Sequence, residues 1–140
     1  MAVVHTSYTK SVTAGAEELI ARVTAPSNIK PQVRIRVHNT SASVGTTVRL
    51  LRAATGGTTG SLTFVRLASQ ETETTQTTAN SITSVTAPGG SPVELDVAWI
   101  PANGSREFRP LEIAGGTTLS VTGSCTGSAV THIVSIDVDE

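Results

Sequence analysis

Cysteine is almost missing from this chain. Cys125 stands alone among 140 residues, so no internal disulfide staples the fold. Aromatic side chains make up only 3%, which argues against the exposed rings on which sugars or unstacked bases are held. Neither sign of charge is in excess. Ten basic and eleven acidic residues leave a net charge of −1, and that balance draws the molecule neither to nucleic acid nor to an anionic membrane. No apolar run approaches bilayer-spanning length. Residues 1–10 lack a basic segment followed by a long apolar one, so no secretion signal is expected and a reducing cytoplasm is the expected place of folding. Sustained helical periodicity and repeats of fixed period are also absent.

What is present favours strands. Threonine is the commonest residue, and with the valines it suits a pleated, half-buried surface. Twelve glycines and six prolines punctuate the chain at short intervals. The length fits one domain able to bury about two-thirds of its unfolded surface. Residues 32–39 alternate Val33, Ile35 and Val37 with Arg34, Arg36 and His38. Residues 47–52 come after a polar turn, with Val48 and Leu50 inward, and are expected to close an antiparallel hairpin. Residues 19–24, 82–86 and 118–122 read as further strands. In 130–138 the inward row is Val130, His132, Val134, Ile136 and Val138. Residues 91–100 are expected to be a central core strand in which Val93, Leu95, Val97 and Trp99 share a buried face. Pro101 ends it, Asn103-Gly104 reverses the chain, and 106–113 returns. Residues 1–12 read as a polar N-terminal arm, and 69–81 as a long surface loop. The expected fold is all-β: an antiparallel β-sandwich or jelly roll, a single domain over 13–140.

Chemistry is sparse. Gly123-Ser124-Cys125-Thr126-Gly127 has the spacing of a nucleophile elbow, but no helix comes after it, so a glycine-flanked turn is the simpler reading. His5, His38 and His132 are not at metal-ligand spacing and no cysteine or carboxylate cluster joins them. Glu94 and Asp96 share a wet strand face, where carboxylates are ordinarily solvated or paired. The glycine-rich loops carry no lysine at the phosphate-binding position. Asn39-Thr40-Ser41 and Asn103-Gly104-Ser105 match a glycosylation pattern but read more simply as turns. No enzyme activity, cofactor or metal is expected. One constellation stands out: Arg34, Arg36 and His38 on one face, with Arg49 and Arg52 on the expected partner strand. It is either a solvated face whose charges pair with Glu94 and Asp96, or a docking face for an acidic protein surface.

The order of elements resembles a known group. A polar arm precedes T-A-P-S-N (24–28), an apolar-basic strand, V-R-L-L-R (48–52), a Gly/Thr loop and a Thr-rich middle. Then come V-A-W-I-P-A-N-G (97–104), P-L-E-I-A-G-G-T-T-L-S-V (110–121) and an acidic end. The chain as a whole is similar to small tailed-phage capsid decoration, or cement, proteins of the β-sandwich or jelly-roll type. That resemblance implies a non-enzymatic virion protein on the capsid surface, made in the host cytoplasm. It implies a homotrimer whose partner is the major capsid protein, with no nucleic acid and no membrane bound. The alternative is a receptor- or glycan-binding head of a phage head or tail fibre.

Overall fold

Valine and isoleucine at every second position, separated by wet residues, form strands with one face inward. The structure, a computed structural model, describes residues 3–66 and 75–140. In β3 (Gln32–Asn39) Val33, Ile35 and Val37 are buried, while in β12 (Val130–Asp139) Val130, His132, Val134, Ile136 and Val138 are. These two strands pair antiparallel, from His132 opposite Asn39 to Asp139 opposite Gln32. They belong to an all-β single domain in which two antiparallel sheets pack as a β-sandwich, with no helix among the described residues.

The remaining strands are β1 (Val3–Val12), β2 (Glu18–Thr24), β4 (Thr46–Thr55), β5 (Thr59–Leu62), β6 (Val65–Arg66), β7 (Thr78–Ile82), β8 (Gly89–Ile100), β9 (Ser105–Glu107), β10 (Leu111–Glu112) and β11 (Thr118–Ser124). The first sheet runs β10-β3-β12-β1-β6, with β9 also paired to β3; the second runs β5-β7-β2-β11-β4-β8. Val33, Ile35, Val37, Val134 and Ile136 of the first sheet meet Val48, Leu50, Leu119 and Val121 of the second in the main core. A smaller cluster, Leu19, Leu51, Ala54 and Ile82, is separate from it. The backbone leading from β7 to β8 is tied to that neighbourhood, since Leu19 N–H donates to the Thr86 carbonyl at 2.8 Å.

Several expectations are corrected. Residues 3–12 are not an arm. They are β1, paired with β12 from Val3 opposite Asp139 to Val12 opposite Val130. The expected hairpin of 32–39 with 47–52 does not form, because β3 and β4 lie in opposite sheets. Residues 83–86 are a connection rather than a strand. Of the expected loop 69–81, residues 69–74 lie outside the described residues and 78–81 belong to β7.

The largest correction concerns β8. It is an edge strand, paired only with β4. The pairing slips at Leu95, with Leu50 opposite Asp96 and Leu51 opposite Glu94. One extra residue breaks the alternation and re-aims the side chains beyond it. Leu95 stays half-buried against the core, but Ala98 and Ile100 take the inward places. Trp99, expected to be buried, is 67% exposed. Asn103 adopts a positive φ of 58°, so the predicted reversal is real. The returning segment nevertheless crosses to the other sheet, where β9 and β10 pair with β3.

Candidate docking surfaces

On β3, Arg34 and Arg36 are exposed and His38 is half-exposed, on the outward face opposite Val33, Ile35 and Val37. Arg49 and Arg52 sit on β4 in the second sheet, so the five-residue constellation is not one patch. Around β3 the structure adds two arginines instead. Arg106 of β9 lies opposite Val37, and its guanidinium stands 6.0 Å from the ring centroid of buried Phe108. Arg109 comes next, exposed, and an open cleft is lined by Arg34, Arg106, Glu107, Phe108, Arg109 and Pro110. Arg34 Nε is 3.7 Å from Glu107 Oε1, with both side chains more than half exposed. His38 Nδ1 and Ser105 Oγ are 2.7 Å apart, and His5 Nδ1 lies 2.6 Å from Asp137 Oδ1. Among the described residues Arg36, Arg106 and Arg109 have no ion-pair partner. Period and turn chemistry missed Arg106 and Arg109 because they return that segment along residues 91–100 rather than beside β3.

Arg49 is neutralised. Its Nε and Nη2 donate to Glu17 at 2.6 and 2.5 Å, and its Nη1 reaches Glu94 Oε1 at 3.4 Å. Thr122 Oγ1 also donates to Glu17, at 2.6 Å. The Arg49 hydrogen bonds hold the Glu17 carboxyl below its ordinary range, and the same bonds raise the arginine. The expected Glu94 pairing therefore exists, but with Arg49 rather than with β3. Asp96 Oδ1 accepts from the Val97 N–H at 2.8 Å. Along β8, Val93, Val97 and Trp99 are exposed.

The interior holds polar groups as well. Lys10 Nζ donates to the carbonyls of Leu19 and Ser84, each at 2.7 Å, and stands 3.6 Å from Glu18 Oε1. Thr13 N–H donates to Glu18 Oε2 at 2.5 Å. Burial lowers the Lys10 pKa, and Glu18 opposes that shift. His132 is fully buried, with Nε2 at 2.7 Å from Thr46 Oγ1, and burial lowers its pKa. Cys125 is buried, its Sγ 3.6 Å from the Val12 carbonyl, and burial pushes its thiol up, which makes it a poor nucleophile. Asn39 is buried too. Its amide nitrogen contacts the carbonyls of Val44, Ile100 and Pro101 at 2.8 to 3.3 Å, and its Oδ1 accepts from Ser41 N–H, so the side chain locks the β3–β4 turn. Among the described residues no three His, Cys, Asp or Glu side chains are grouped to hold a metal ion. No family model, no curated protein and no solved structure matches this chain.

Proposed function

We propose that this protein is a structural component of a tailed-phage virion, a capsid decoration or cement protein. It binds the outside of the assembled major-capsid shell as a homotrimer and stabilises it. The observation that carries the reading is the group of arginines on β3 and the neighbouring segment 106–109. Among the described residues Arg36, Arg106 and Arg109 are exposed without ion pairs near Arg34, whereas Arg49 is committed to Glu17 and Glu94. Four arginines there outnumber Glu107 and Asp137, and a net basic region on a nearly neutral molecule steers it to an acidic surface and fixes its orientation there. The sandwich supplies a rigid block, and symmetric repetition of a weak contact makes attachment firm.

Replacing Arg34, Arg36, Arg106 and Arg109 with Ser should weaken shell binding by about tenfold or more at low salt and flatten its salt dependence, with the circular dichroism unchanged. Wild-type affinity and salt dependence in that variant would contradict the docking face. Trp99 favours the second reading, a receptor- or glycan-binding head, since an exposed indole is a stacking surface. Binding of Trp99→Ala to cells or glycans, compared with binding to shells, separates the two.

A further inference from the structure

The outward side of β8 carries an apolar anchor. Beyond the bulge at Leu95, Trp99 is 67% exposed and Val97 46%, and exposed apolar surface of this kind marks a contact. The indole is seated on the chain. A Cβ at Gly45 would lie 2.4 Å from Trp99 Cζ2 and 2.8 Å from Cε2, so only glycine leaves the ring room there. A large ring held in one place loses little freedom when it is covered.

The same edge of the sandwich carries a receptor of matching character. Leu95 of β8, Leu111 of β10, Ile113 and Leu119 of β11 line a slot of about 160 Å³ between the free edges of the two sheets, together with Arg52, Glu112 and the segment that leads into β11. An apolar cavity of about 150 Å³ takes a benzene ring, so the slot has room for the six-membered ring of an indole. Trp99 cannot fill it within its own chain. Leu95 turns to the core and Trp99 to solvent, about 13 Å further along the strand.

We infer that Trp99 of one copy enters the Leu95–Leu111–Leu119 slot of a second copy. Arg49 and Glu94 beside the anchor are already paired with each other, while Arg52 and Glu112 at the slot have no ion pair among the described residues. Anchor and slot lie on the same edge, so each copy can both give and receive; the contact closes as a reciprocal two-fold pair or, head to tail, as a ring. The inference deepens the association part of the proposed function and rests on that reading only for the number of copies.

Trp99 is the only tryptophan, so its emission reports the contact directly. The test uses the purified chain with no shell present, which keeps its failure distinct from failure to decorate. Mass and emission are followed together as concentration rises. The expected result is growth from monomer to a closed oligomer, with emission moving to the blue and quenching by acrylamide falling in step. Trp99→Ser and Leu111→Arg should each be monomeric, and mixing them should give a one-to-one dimer, since one keeps the slot and the other the anchor. Gly45→Val, which displaces the ring without touching the slot, should weaken association by about tenfold; it keeps the test decisive where Leu111→Arg fails to fold. A monomer at every concentration, an oligomer whose indole stays exposed, or persistence of the oligomer in Trp99→Ser would overturn the inference.

Discussion

Three side chains respond to their surroundings in ways that solution measurements can read. His132 has no exposed surface, and burial holds its pKa below the usual imidazole value. The folded state therefore resists a proton that the unfolded chain accepts below about pH 6.5. Stability from this group is full above that pH and is lost as pH falls from there through the lower folded-state pKa. Urea midpoints should drop as pH falls below about 6.5 in the wild type, and His132→Asn should flatten that slope; an unchanged slope would assign the loss to other groups. Cys125, buried with a raised pKa, should react with a disulfide reagent only after unfolding. Rapid labelling of the native protein would contradict its placement. Trp99→Ala in the monomer should cost roughly 1–2 kcal/mol in chemical denaturation, since only about a third of the ring is covered, against about 3–5 kcal/mol for a core aromatic. The larger loss would put the ring in the core.

At the scale of elements, β1 and β8 carry the most information. Lys10 sits on the inward side of β1 and ties three elements together, through the Leu19 carbonyl in β2, the Ser84 carbonyl in the β7–β8 connection, and Glu18. Lys10→Met should cost about 3–5 kcal/mol, because it leaves a buried carboxyl and two carbonyls without their partner. Pairing it with Glu18→Gln should recover part of the loss, and a cost under about 1 kcal/mol for the single variant would show the ammonium to be incidental. Lys10 also explains why β1 was not legible. Its inward row is Val4, Thr6, Tyr8, Lys10 and Val12, so three of five places look polar and the alternation is masked. β3, β11 and β12 were legible because their inward places are mostly valine, isoleucine or leucine, with the facing pair His132 and Asn39 among the exceptions. β8 was legible as a strand but not as an edge, since nothing in its period marks the bulge at Leu95 that turns Trp99 outward. Arg34, Arg36 and His38 were correctly placed on one face by period alone. Arg49 and Arg52 were misplaced because adjacency in the chain does not reveal whether a turn joins two strands of one sheet or crosses between sheets.

For the whole molecule, a net charge of −1 hides a division. Arginines gather on β3 and in the neighbouring segment 106–109, Val97 and Trp99 expose apolar surface on the outward side of β8, and the polar interior is used for cohesion. A rigid two-sheet block on which the proposed self-association and docking surfaces are separate suits a part that repeats on a closed shell. The most direct measurement for the proposed decoration role is co-sedimentation of the purified protein with assembled empty tailed-phage capsid shells and, in parallel, with free major-capsid subunits at low salt. Saturable binding to shells, with weak retention by free subunits and a loss of binding as salt rises, is the expected result. Equal binding to free subunits, or no binding to shells at low salt, would contradict a decoration protein.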